Sequence, residues 1–388
     1  MTMGRSLRIL AVDDSAVMRG FLRAMFAALR AAPGCVQVEL CGTAADGVEC
    51  LEAVERLQPD VLLLDLEMPR MHGLDVLDRL QKQRPGLPII MCSAYTATGA
   101  MSTLDALARG AADYVTKPSG QKDFAAAVAA LTEQLLPKIL ALANRKPCAE
   151  SVALARSAVA HKAVDAEVVV VGVSTGGPSA LEKMLPRLPA RFPAPVLIVQ
   201  HMPKLFTGAL AERLDRCCAL RVREAFDGAK ILPGTVWIAP GDAHMEIALA
   251  AGSGDAVVAL HQREPLQHCK PAVDYLFASA AQIYKERTLA LVMTGMGSDG
   301  LAGARKIYEA GGTVLAQDAA TSAVWGMPGR VTEAGIAAAT LPLDELADEL
   351  IRRTGGRLTD SLLPPMRTEE TRGRSASRER RRAAYGVY

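Results

Sequence analysis

Short apolar runs recur along the first third of the chain, each followed by a stretch of helical periodicity. LRILAV, VQVELC, DVLLLD, LPIIMC and ADYVT read as five strands, with segments such as SAVMRGFLRAMFAAL as helices between them. Strands alternating with amphipathic helices predict a parallel sheet covered by helices. A second series follows: VVVVGVS, APVLIVQH, TVWIAP, DAVVAL, LALVMTG and TVLAQ. The VVVV and VLIV runs are apolar at every position, as strands buried on both faces are. The pattern therefore predicts an α/β protein of two domains. Residues 1–135 form a (βα)5 domain, and residues 166–356 a doubly wound parallel α/β domain. No repeat of the solenoid kind is evident.

Two segments fall outside this pattern. Residues 136–165 are Ala-rich and carry few bulky apolar side chains after Leu142, so they read as a helix end followed by a linker. Residues 357–388 turn polar and basic, with seven Arg and three Glu in RTEETRGRSASRERRRAAYGVY. That composition buries too little apolar surface to fold, so a solvated tail is expected, with docking to an anionic surface as the alternative.

Composition adds limits. A length of 388 residues suits two to three domains. Half the residues are hydrophobic but only 4% aromatic, so the core must be built from Val, Leu, Ile, Ala and Met. A net charge of +2 argues against a whole-protein nucleic-acid or membrane binder. The eight cysteines form no CxxC pair and read as reduced thiols. No signal-like segment precedes RILAVDD and no apolar run approaches membrane-spanning length, so a soluble cytoplasmic protein is expected.

Function in parallel sheets collects at the carboxyl ends of the strands. In the first domain Asp13 and Asp14 end the first strand and Asp65 the third, while Ser93 ends the fourth and Lys117 the fifth. Carboxylates brought to one edge repel one another unless a cation lies between them. A hard, oxygen-binding ion such as Mg2+ fits Asp13, Asp14 and Asp65. Lys117 can then neutralise phosphate oxygens and Ser93 can hydrogen-bond one, which leaves Asp65 as nucleophile. This arrangement resembles a response-regulator receiver domain. The resemblance implies that Asp65 accepts a phosphoryl group from a histidine kinase. It also implies that Tyr114 holds the aromatic switch position and that the Lys117–Pro118 bond is cis.

In the second domain Ser174 follows the four-valine strand, in VVVVGVSTGGPSALEKML. A turn into a helix at a strand end presents outward-pointing N–H groups. A dinucleotide cradle is disfavoured because Ser174 stands where GxGxxG needs its second glycine. GVSTG satisfies GxSxG literally, although a serine there is also an ordinary helix cap. His201 ends VLIVQH and Asp299 follows LALVMTG, so both reach the same edge. Asp299 can hold the imidazole of His201, and His201 can take the proton of Ser174. Backbone N–H groups near Thr175 or Met296 can hold the oxyanion. His244, after TVWIAP, is a rival base, with His261 and His268 behind it. His72 lies beside the acidic loop and His161 in the linker.

The order serine, histidine, aspartate is not that of α/β-hydrolases. It is similar to that of the chemotaxis protein-glutamate methylesterase/glutaminase family, which also carries an N-terminal receiver. The resemblance covers residues 7 to about 352 and rests on GVSTGGPSAL, VQHMP, APGDAHM, HCKPAVDYLF, MTGMGSDGLAG and QDAATSAVWGMPG. It implies a triad of Ser174, His201 and Asp299, with the Met296 amide as oxyanion donor, and so favours His201 over His244. It further implies hydrolysis of γ-glutamyl methyl esters, and deamidation of glutamines, on the cytoplasmic helices of chemoreceptors. A chemotaxis histidine kinase is the implied phosphodonor, and Mg2+ belongs to the receiver alone. A monomer without a nucleic-acid partner is expected. Two other classes compete. A hydrolase-fold binding module is disfavoured by the complete triad, and a DNA-binding regulator by the lack of a helix-turn-helix pattern.

Overall fold

The structure is a computed structural model that describes residues 6–31, 38–118, 123–143 and 165–355. The first domain runs β1 (Leu7–Val12), α1 (Ala16–Ala31), β2 (Val38–Ala44), α2 (Gly47–Leu57), β3 (Val61–Asp65), α3 (Gly73–Gln83), β4 (Ile89–Ser93), α4 (Ala97–Ala108), β5 (Asp113–Thr116) and α5 (Phe124–Ala143). Its five strands are parallel in the order β2-β1-β3-β4-β5. Every residue of β3 and β4 is buried, as expected of strands sandwiched between helices. The five-strand reading holds with small shifts of boundary.

The second domain runs β6 (Val168–Val173), α6 (Gly177–Met184), β7 (Val196–Gln200), α7 (Lys204–Cys217), β8 (Arg221–Glu224), β9 (Thr235–Ile238), β10 (His244–Leu249), β11 (Ala256–His261), α8 (Val273–Tyr284), β12 (Thr288–Val292), α9 (Leu301–Glu309), β13 (Thr313–Gln317), α10 (Met327–Glu333), β14 (Ala339–Leu341) and α11 (Leu343–Arg353). Seven of these strands form a parallel sheet in the order β14-β13-β12-β6-β7-β9-β8. From β6 the chain winds out to β7 on one side and returns to β12 on the other. The boundary between β6 and β12 is therefore a topological switch point, where doubly wound sheets open a crevice.

Three strands escape the apolar pattern. β8 reads RVRE because it lies at the sheet edge with its charges outward. β14 is only three residues long, and β10 follows the APGD turn, where the sequence reading places no strand. DAVVAL is a strand, but β11 pairs antiparallel with β10 in a separate hairpin rather than in the main sheet. The cis peptide bond among the described residues is Lys270–Pro271; the expected cis bond at Lys117–Pro118 is not present.

α5 carries the chain to Ala143, well into the span read as linker, and includes Pro137. Residues 144–164 and the basic tail lie outside the described residues, as does His161. Contrary to expectation, α5 has the length and hydropathy of a membrane span, because a 20-residue helix tolerates two charges without losing its apolar average. Its buried positions Ala127, Leu131, Leu135, Ile139 and Leu142 recur at helical spacing, and the last four join the core that packs on α1 and the first sheet.

The two domains meet along α4 and β5 of the first and α6 and α7 of the second. One apolar cluster runs through both, with Leu104, Leu107 and Tyr114 continuing into Ala180, Phe206 and Leu210. Tyr114 stacks on Phe206 with ring centroids 4.6 Å apart, and Tyr95 flanks the same ring at 6.4 Å. Ser179 donates a hydrogen bond to the Leu107 carbonyl at 2.7 Å, and Arg213 bridges Asp105 of α4 and Glu182 of α6.

Candidate active site and acidic cluster

Ser174, His201 and Asp299 follow β6, β7 and β12, which are adjacent strands, so their loops converge at the switch point. Gly172 within β6 makes the first close approach possible. A side chain there would meet Val273 at 2.4 Å, so α8 could not lie so near the sheet. That approach delivers the amino end of α8 to Asp299. The Val273 amide donates to Asp299 Oδ2 at 2.7 Å and the Asp274 amide to Oδ1 at 3.0 Å. Unpaired N–H groups at a helix start hold a carboxylate well, so the buried Asp299 is fixed in place.

Asp299 Oδ2 also lies 2.8 Å from His201 Nε2. The hydrogen-bond pattern places a ring proton on Nε2, so Nδ1 is the nitrogen that gains or loses the second proton. Burial alone would lower the His201 pKa. The Asp299 carboxylate and the nearby Cys269 sulfur outweigh it and raise the value to about 9. Among the described residues no hydrogen bond joins His201 to Ser174. Its Nδ1 instead faces Cys269 Sγ at 3.7 Å. Ser174 sits half-buried on the neighbouring loop, with its amide bonded to the Thr294 carbonyl and its carbonyl held by Gln200 Nε2.

Gly295 lets the oxyanion loop close on the serine, since a Cβ there would lie 2.8 Å from Ser174 Cβ. The amides of Met296 and Thr175 have no protein partner among the described residues, while their neighbours Gly295 and Gly177 are bonded. The Thr294 hydroxyl donates to the Thr175 carbonyl at 2.8 Å, tying the two donor-bearing loops together. The Thr175 hydroxyl donates across the domain boundary to Asp113 Oδ2 of β5 at 2.7 Å. Lys138 pairs with the other oxygen of Asp113.

His244 is not placed to act as a base. It is fully buried, its Nδ1 accepts from the Ala272 amide, and its Nε2 faces the Glu264 carbonyl. Both nitrogens are thus committed to backbone, and burial lowers its pKa. It stacks between His261 and Tyr275 as part of the β10–β11 packing. His268 and His72 are exposed.

At the first sheet's edge Asp13 and Asp65 are buried and Asp14 is exposed, with carboxylate oxygens of all three within 4.8 Å. Lys117 Nζ lies 2.9 Å from Asp13 Oδ2 and 2.7 Å from Asp65 Oδ2. Burial raises the Asp65 pKa to about 6; the Lys117 ammonium opposes that shift and the Asp13 charge adds to it. Three hard oxygen donors, one of them open to solvent, suit a Mg2+ ion that keeps several waters. Ser93 is not turned toward the acids. Its hydroxyl bonds to the Gly99 carbonyl and accepts from Thr103 in α4. Tyr114 is likewise buried, against Phe206 rather than in solvent.

A receiver joined in one chain to a hydrolase of the methylesterase type is the class these two sheets define. The response regulator receiver family matches residues 9–129, and the CheB methylesterase family residues 169–350. A protein-glutamate methylesterase/protein-glutamine glutaminase of Trichodesmium erythraeum is 42% identical over 356 residues, covering 90% of this chain and 99% of that protein. Its counterpart in a Nocardioides species is 43% identical, with 92% and 98% covered. The crystal structure of the Thermotoga maritima CheB methylesterase catalytic domain is 46% identical, covers 49% of this chain and 99% of that one, and superposes with a TM-score of 0.47. The chain belongs to the protein-glutamate methylesterase/protein-glutamine glutaminase family.

Proposed function

We propose that Ser174, His201 and Asp299 hydrolyse γ-glutamyl methyl esters, and deamidate glutamines, on the cytoplasmic helices of chemoreceptors. The observation that carries this reading is the 2.8 Å pairing of His201 with a buried, amide-held Asp299 beside the loop of Ser174. Asp299 on Nε2 leaves Nδ1 to take the serine proton, so the ring is used the other way round from the usual serine-protease triad. Ser174 Oγ attacks the ester carbonyl carbon as its proton passes to Nδ1. The tetrahedral oxyanion finds the unpartnered amides of Met296 and Thr175. Collapse expels methanol, which takes the proton back from His201, and leaves a glutamyl ester on Ser174. Water, deprotonated by the same nitrogen, then frees the glutamate. A glutamine substrate releases ammonia by the same route.

Asp65 is the phosphoryl acceptor in this reading, with a chemotaxis histidine kinase as donor. Asp13, Asp14 and Asp65 would hold Mg2+, which when bound offsets the charge of the incoming phosphoryl group. Lys117 neutralises the phosphoryl oxygens, and leaving its two carboxylates changes the end of β5. β5 carries Asp113 and Tyr114 into the domain interface, which gives phosphorylation a short path to Thr175. A first domain that α5 carries past the expected limit of 1–135 to Ala143, a second domain at 166–356, and a cytoplasmic, monomeric state belong to the same proposal.

Rapid quenching of the chain with a methylated receptor peptide tests the chemistry. Mass spectrometry should find a glutamyl adduct on the peptide that contains Ser174. Methanol release without an adduct, or an adduct elsewhere, contradicts the assignment.

A further inference from the structure

The imidazole of His201 has a second neighbour that hydrolysis does not use. Cys269 Sγ lies 3.7 Å from Nδ1, on the loop before α8. Ligand atoms of His201, Cys269 and Asp299 all lie within 4.8 Å of one another. We propose that His201 Nδ1 and Cys269 Sγ form a Zn2+ site at the catalytic centre, through which the ion reversibly blocks hydrolysis. The proposal rests, for its effect on turnover, on the reading of His201 as the base.

Geometry supports this assignment. Zn–S and Zn–N bonds of about 2.3 and 2.0–2.1 Å at a tetrahedral angle place the two donors roughly 3.6 Å apart. The observed separation of 3.7 Å needs almost no movement. Asp299 is already committed to Nε2 and to the Val273 and Asp274 amides, so it serves as the outer carboxylate rather than as a ligand. A carboxylate on the far nitrogen fixes the tautomer and raises the basicity of a metal-binding histidine. Imidazole and thiolate together favour Zn2+ over the Mg2+ that suits Asp13, Asp14 and Asp65. Cys269 is only partly buried, so the ion can enter from solvent.

Binding forms a Zn–S and a Zn–N bond and breaks the S–H bond and, where the ring is an imidazolium, the Nδ1–H bond; both protons leave to solvent. The lone pair that would accept the Ser174 proton is then occupied. Zn2+ therefore competes with catalysis directly, and removing it with a chelator restores turnover.

Co2+ reports the site independently of turnover, because a thiolate ligand gives a charge-transfer absorption. The full chain should show that band on titration with Co2+ and lose it on adding Zn2+. The Ser174→Ala chain should show the same band although it cannot turn over. Cys269→Ala should lose the band, and Zn2+ should inhibit it only at concentrations higher by about tenfold or more, the scale of losing one ligand. A band that persists in Cys269→Ala, or no band in the unmodified chain, overturns the proposal. A band in a chain that releases no methanol would instead leave the metal site standing and overturn the hydrolase reading.

Discussion

In the proposed reaction His201 sets the pH dependence. The base must be neutral, and Asp299 and Cys269 raise its pKa from 6.5 to about 9. Below that value the ring is mostly imidazolium and cannot take the Ser174 proton. The account predicts that kcat/KM for ester hydrolysis rises with pH through about 9 rather than levelling near 6.5. Asp299→Asn should move that rise to lower pH while cutting kcat by roughly 10^3–10^4-fold, the scale for losing the orienting carboxylate. A profile that Asp299→Asn leaves in place would contradict the pairing. Ser174→Ala should abolish methanol release with an unchanged thermal unfolding midpoint. That Ser174, His201 and Asp299 gather at one sheet edge was legible in the sequence, because each follows a conspicuous apolar strand. Cys269 and the Thr175–Asp113 bond were not. They join loop and strand-end residues 68 and 62 positions apart, and no periodic pattern links such pairs.

At the scale of elements, β5 and the amino end of α6 matter most. β5 contributes Asp113, which holds the residue next to the nucleophile, and Tyr114, which stacks on Phe206 of α7. A stacked aromatic pair contributes about 0.5–1.5 kcal/mol beyond its buried area. Tyr114→Ala should therefore weaken the closed interface and raise basal methanol release severalfold, up to about tenfold. Basal release that stays level or falls would show that this stack does not restrain the enzyme. The strands of both sheets were largely readable, because buried parallel strands are apolar throughout. β8, β10 and β14 were not, being an edge strand, half of a hairpin and a three-residue strand. That both nitrogens of His244 are bound to backbone was hidden for a related reason. Its position after TVWIAP was visible, but its two backbone partners depend on the β10–β11 hairpin and the turn before α8.

The whole molecule couples two equilibria. The receiver shifts the enzyme only if its phosphorylated form packs differently on α6 and α7. In the structure Ser93 faces α4, Tyr114 is buried in the seam, and Lys117 bridges Asp13 and Asp65. A cleft of about 230 Å3 runs along that seam from Leu107–Ala112 to Gly176 and Thr294, beside the catalytic loops. Asp65→Asn should keep basal hydrolysis and lose its response to an acyl phosphate; a normal response in that variant would move the phosphorylation site elsewhere. The measurement that tests the account most directly is methanol release from a methylated receptor fragment, with and without a small phosphodonor and Mg2+. The account predicts measurable release without the donor and a clear rise with it. Release that ignores the donor would contradict the coupling, and no release in either condition would contradict the hydrolase itself.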